Sequence, residues 1–346
     1  MIINAYAVLV AFTSALRAIL GVVLVLAGIG AWRRCQASLS SDARQSVENR
    51  SYLALSLALL LLALNVASWP LFYALLQSYV SEWPGVMCIY GVTRIGASPH
   101  NIGPSRFLPS LLTALQIAKP ALVFLSGLWL VLYLVSRRTR TAVLMKRLLA
   151  VLVALGLLSL ADSAAEGSYL LIPKKEQTLA VGCCTVAAGS SATLFPTGWL
   201  DERSRPWLAV ICCAINGLLV AALLAHAILS PRVQTRKWSI PLAAGAIVSV
   251  PVSGIFLTET LAPTLLRLPD HHCVYDLPQV VPESLVGMGL FVLGVFSVGW
   301  ACAVGWFAYR QETAAFLPEL MGKLLFVGLF GYLGCFVLFS SELALR

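Results

Sequence analysis

Four cysteines stand in three short motifs, each set between two long apolar stretches: Met87-Cys88-Ile89-Tyr90, Gly182-Cys183-Cys184-Thr185 and His272-Cys273-Val274-Tyr275. Thiols in equivalent loops can do one of three kinds of chemistry. In an oxidising compartment they form disulfides that persist, and a one-two-one distribution lets Cys183 and Cys184 each reach a different loop, joining Cys88 and Cys273 in some order. Such staples stabilise by about 2–4 kcal/mol each, largely by restricting the unfolded chain. As exchangers, the same four thiols would pass electrons between dithiol and disulfide, with a quinone as the acceptor at a helix end. No Cys-x-x-Cys is present to tune a thiolate. As ligands, Cys273 with His271, His272 and His100 would offer the mixed sulfur and imidazole donors that suit a soft metal such as zinc or copper(I).

A second set of residues carries charge where charge is costly. Arg17, Lys119, Asp162, Glu166 and Glu259 all fall inside or at the edge of apolar segments. Ionisable groups within a membrane span mark functional sites by default, because each must find a partner or a polar chamber. At 1.5 Å rise per residue, Arg17, Lys119 and Asp162 reach similar depth in segments one, three and four, and Glu166 follows Asp162 on the same helical face. Two cations and up to three carboxylates are therefore expected to share one charged intramembrane cavity, as structural ion pairs, a proton relay or a counter-charge for a substrate.

The elements that must position these residues are legible from composition. Hydrophobic residues are 59% of the 346 and charged ones 11%, about half the charged share of a soluble domain, and mean hydropathy is +0.87. A spanning helix needs about 20 apolar residues. Eight segments qualify, at about 5–32, 51–79, 108–136, 145–171, 207–230, 239–262, 285–309 and 318–342. They leave no room for a separate soluble domain, so the expected fold is an all-α integral membrane bundle forming a single transmembrane domain over 1–346. Arg17 interrupts the first segment, which leaves open a short external helix followed by a span from about residue 18.

The net charge of +9 lies in the short connections rather than on a face that would bind nucleic acid. The loops after segments one, three, five and seven hold 14 Lys and Arg, including Arg33, Arg34, Arg137, Arg138 and Arg310, against 7 in the three opposite loops. Basic loops stay in the cytoplasm. Both termini and all three cysteine motifs are therefore expected outside, with anionic lipid headgroups against the basic side. Segments two to seven read as three hairpins of one plan, with Cys-Ile-Tyr echoed by Cys-Val-Tyr, which hints at an internal repeat. Glycines at 287, 289, 294 and 299, and at 328, 331 and 334, fit close packing of segments seven and eight.

No phosphate-binding glycine loop, zinc-protease helix or serine-nucleophile elbow occurs. The expectation is a non-enzymatic, multi-pass inner-membrane protein. It is either a small-solute permease or the membrane subunit of a larger complex, with a disulfide-stapled extracytoplasmic cap over the charged cavity. The alternative is a quinone-linked thiol–disulfide oxidoreductase of the membrane working with a periplasmic thiol protein.

Overall fold

The computed structural model describes residues 4–34, 41–83, 86, 88–97, 102–139, 144–174, 205–229, 235–268, 271 and 273–345. These residues are helical with short connections. Among the described residues, eight helices are long and apolar enough to cross a membrane, the architecture of a polytopic membrane protein. Their ends lie within a few residues of those expected at most boundaries. The chain divides into two compact units, Met1–Val181 and Gly182–Arg346. The middle hairpin of the three-hairpin reading is divided between them.

The first unit contains α1 (Ala5–Arg34), α2 (Ser41–Val80), the short α3 (Ile89–Thr93), α4 (Leu108–Ser136) and α5 (Met145–Leu171). Its four long helices pack in a ring: α1 on α2, α2 on α4, α4 on α5, and α5 back on α1. The helix over residues 5–34 is unbroken at Arg17, so the reading of a short external helix before residue 18 gives way to one continuous span. Glycine sets how close the ring closes. A Cβ on Gly156 of α5 would sit 2.7 Å from Val25 Cγ2 and 3.2 Å from the Gly21 carbonyl of α1, so the two backbones touch there. That contact lies between one and two turns from Arg17 and Asp162, and it brings their side chains within reach of each other.

Pro70 in α2 and Pro120 in α4 are accommodated inside continuous helices. Each removes one backbone hydrogen bond, which a span tolerates when its neighbours re-satisfy the freed carbonyl. In the connection from α2 to α4, Gly96 has φ +88°, and a Cβ there would collide with the Ser105 carbonyl. Only glycine fits that turn.

The second unit contains α6 (Arg205–Leu229), α7 (Thr235–Phe256), the short α8 (Ala262–Leu266) and α9 (Leu277–Val280), α10 (Glu283–Phe307) and α11 (Leu317–Leu345). Again the long helices form a ring, α6 on α7, α7 on α10, α10 on α11, and α11 on α6. The α10–α11 seam is the tightest: a Cβ on Gly331 would lie 2.7 Å from both the Gly294 nitrogen and the Leu290 carbonyl. Gly287, Gly294, Gly328 and Gly334 also meet the facing helix, whereas a Cβ on Gly289 would meet nothing.

The sixth span does not run as one α-helix. Between α7 and α8, Leu257–Leu261 forms a wide π-type turn. Two side chains account for it. Pro263 lacks the N–H that would bond to the Glu259 carbonyl in an α-helix, and the Thr258 hydroxyl bonds to the Gly254 and Ile255 carbonyls, 3.2 and 3.0 Å away.

Candidate functional site

Four ionisable side chains meet inside the first unit. Arg17 comes from α1, Lys119 from α4, and Asp162 and Glu166 from successive turns of α5. All four are at most 1% exposed. Arg17 Nη1 donates to Asp162 Oδ2 at 2.6 Å, and Nη2 donates to Glu166 Oε2. Lys119 Nζ donates to the same Asp162 Oδ2 at 3.1 Å and to Glu166 Oε1 at 2.5 Å. Each cation bridges both carboxylates, and each carboxylate receives both cations. The result is a closed ring of alternating charge.

The local sequence explains why α5 is the acidic edge. Ser159, Asp162, Ser163, Glu166 and Tyr169 recur at three- and four-residue intervals and line one stripe of the helix, all of them buried. Ser163 supplies its carbonyl to the Ser14 hydroxyl of α1 at 3.1 Å. Ser159 donates to Asn65 Oδ1 of α2 at 3.1 Å, which extends the polar stripe one turn away from the ring. In the other direction Lys119 Nζ lies 5.1 Å from the Phe72 ring centre, and Phe72 meets Tyr169 edge-on at 6.1 Å.

The stripe ends at Lys174, just past α5. Its ammonium lies 4.3 Å from the Tyr169 ring centre and 5.5 Å from that of Tyr79, and it donates to the Tyr169 carbonyl at 2.8 Å. Burial against the two rings pushes the Lys174 amine down to about 8.

The ring does not use every polar atom it buries. Arg17 Nε, Asp162 Oδ1, Ser163 Oγ, Asn65 Nδ2 and Tyr169 Oη are buried and have no hydrogen-bond partner among the described residues. A donor and an acceptor remain over on the very side chains that carry the charge. Buried polar groups are almost always paired in a finished structural network, so these atoms are the chemically unsaturated part of the site.

Glu259 is buried in the π-type turn of the second unit. Cys88 is buried at the N-terminal cap of α3. Cys273 is buried in the connection after α8, where His271 Nε2 lies 2.7 Å from Asp276 Oδ2. Asp276 also has a carboxylate oxygen within 4.8 Å of the Cys273 thiol, a neighbour that motif spacing does not signal. Cys183, Cys184, His100 and His272 lie outside the described residues. The staple, the exchanger and the full metal-ligand set all depend on them.

The long helices of the second unit are joined by neutral polar contacts. Asn216 Nδ2 of α6 donates to Ser253 Oγ of α7 at 2.9 Å and reaches Cys212 Sγ at 3.4 Å. Ser249 and Tyr332 lie 3.1 Å apart, oxygen to oxygen. Cys213, next to Cys212, points outward and is exposed.

No protein-family model, curated protein or solved structure matches this chain.

Proposed function

We propose that this is a non-enzymatic inner-membrane permease for a small solute, with the Arg17–Lys119–Asp162–Glu166 ring as its working site. One observation carries the reading. Four ionisable groups are fully buried among the spans of one helical unit, yet Arg17 Nε and Asp162 Oδ1 are left without partners among the described residues. Taking charges out of water is expensive, and hydrophobic residues of similar volume hold helices together as well or better. Retaining four charges together with unspent donors and acceptors fits a site that exchanges partners with a ligand. The orientation, with both termini and the cysteine-bearing loops on the extracytoplasmic side, is supported by the 14-to-7 asymmetry of basic residues. The thiol–disulfide alternative turns on Cys183 and Cys184, which lie outside the described residues.

Osmotic swelling tests the permease reading across many solutes at once. Liposomes holding the purified full chain are mixed with iso-osmotic panels of small neutral, cationic and anionic solutes. At least one solute should enter faster than into empty liposomes, and Asp162→Asn should abolish that difference while eluting as a folded protein. Equal rates for empty and protein-bearing liposomes across every panel would discard the reading.

A further inference from the structure

The ring's connectivity points to the class of solute, and this step rests on the permease reading above. Glu166 binds the two cations with different oxygens, Oε2 to Arg17 and Oε1 to Lys119, whereas Asp162 holds both through Oδ2 alone. Protonating Glu166 turns one of its oxygens into a donor and leaves the other a neutral carbonyl acceptor, so one cation's N–H is released, the other's is held less strongly, and the two donors converge on one place. Asp162 continues to hold both side chains through Oδ2. Two positive charges then face a single negative one, so the ring carries one net positive charge in a buried site. Such a charge is costly unless an anion arrives with the proton.

We propose that the ring is a proton-coupled anion site, in which Glu166 accepts one proton as one monovalent anion seats on Arg17 Nη2 and Lys119 Nζ. One O–H bond forms, the N–H···O bond to the protonated oxygen of Glu166 breaks, the bond to its carbonyl oxygen weakens, and N–H contacts from Arg17 Nη2 and Lys119 Nζ to the anion take their place. Nothing is oxidised or reduced. The ring is neutral before and after, so neither ion enters alone.

The groups facing Glu166 are few. Arg17 comes from α1, Lys119 from α4, and Asp162 from α5 itself. Tyr169 lies one turn further along α5, and Lys174 lies beyond the helix end. Residues 53–80 of α2 contain no charged side chain; their nearest polar contributions are neutral Asn65 and the Tyr79 phenol. The row Tyr169, Tyr79 and Lys174 connects Glu166 with the end of α5, which makes Glu166 the carboxylate nearer that end.

Proton uptake by the purified full chain tests this directly. In weakly buffered detergent solution with a pH-indicating dye, potassium chloride, nitrate or methanesulfonate is added, with potassium sulfate at matched ionic strength as control. The first two salts probe an inorganic anion and the third an organic one. At least one should draw up to one proton per protein, and its Kd should rise about tenfold per pH unit on the alkaline side of the transition. Glu166→Gln, which imitates the protonated acid, should bind the same anion with no proton uptake and no pH dependence. Absence of uptake with all three salts would overturn the proposal, as would a flat Kd in the native chain, which needs no variant to fold. Swelling that persists in neutral or cationic solutes alongside absent proton uptake would remove the anion inference and keep the permease. Proton uptake without swelling in any solute would do the reverse.

Discussion

The two units solve the same packing problem with different chemistry. In each, four long helices close a ring in chain order, and glycines let one pair of backbones touch: Gly21 with Gly156 in the first, Gly294 with Gly331 in the second. The first unit places two cations and two carboxylates at its centre, while the second joins its helices with neutral contacts such as Asn216–Ser253 and Ser249–Tyr332. Helix association in lipid needs only close packing and modest hydrogen bonds, the kind of contact that Asn216–Ser253 and Ser249–Tyr332 supply in the second unit. The four-membered charge ring of the first unit goes beyond that minimum, which is why the functional reading rests on that unit.

The largest expected effect breaks the charge ring on one side. Lys119→Met or Asp162→Asn alone should lower unfolding stability by about 3–5 kcal/mol, because an uncompensated charge is left behind. The double variant should recover part of that loss. Unfolding in mixed micelles titrated with a denaturing detergent measures both. Additive losses would mean the two residues do not share a network, contrary to the 3.1 Å contact.

Next in size are the two glycine seams. Gly156→Leu and Gly331→Leu should each cost about 1–3 kcal/mol from overpacking. Only Gly156→Leu should also disturb the site, by separating Arg17 from Asp162. If Gly331→Leu abolished solute entry equally, the contrast between the units would lose its functional meaning.

A smaller loss is expected in the neutral unit. Asn216→Leu removes its bonds to Ser253 and to the Cys212 carbonyl, and interhelical hydrogen bonds in membranes average about 0.6 kcal/mol. A loss as large as that of Lys119→Met would show that the second unit also depends on a polar core.

The smallest effect concerns Lys174. With its folded value at about 8 against the usual 10.5, the unfolded chain binds the extra proton between those limits. Stability should thus be lowest and level below pH 8, then rise as pH climbs from 8 to 10.5. Reductive methylation of Lys174, followed by peptide mass spectrometry, should show half-maximal reactivity near pH 8. A midpoint above about 10 would mean that the amine is fully hydrated.

Much of this was readable in the sequence, and what was not has a physical cause. Eight spans follow from runs of apolar residues longer than any soluble helix requires. Depth puts Arg17, Lys119, Asp162 and Glu166 at similar levels of their spans, where an unpaired charge is costly; which spans adjoin is set by the fold. Glu259 shows where that argument ends: depth cannot tell which four-helix ring a span joins, and Glu259 belongs to the second unit. Asn65 and Ser159 give no sign of the site in the sequence, because neutral polar residues are common in spans. Tyr79 and Tyr169 look like ordinary apolar positions until the fold sets Lys174 against their rings. The π-type turn at 257–261 was hidden as well, because it arises from Thr258 and Pro263 acting together.

The positions of the charges along the chain also order the events of synthesis. Arg17 and Asp162 are 145 residues apart, and at about 5–20 residues per second the ribosome needs roughly 7–30 s to make one after the other. For that interval α1 carries a guanidinium with neither acid yet available. Until α5 emerges, the first span holds a guanidinium whose two acids have not yet been made, and a chain truncated before residue 162 should keep that charge unpaired and be less stable in the membrane.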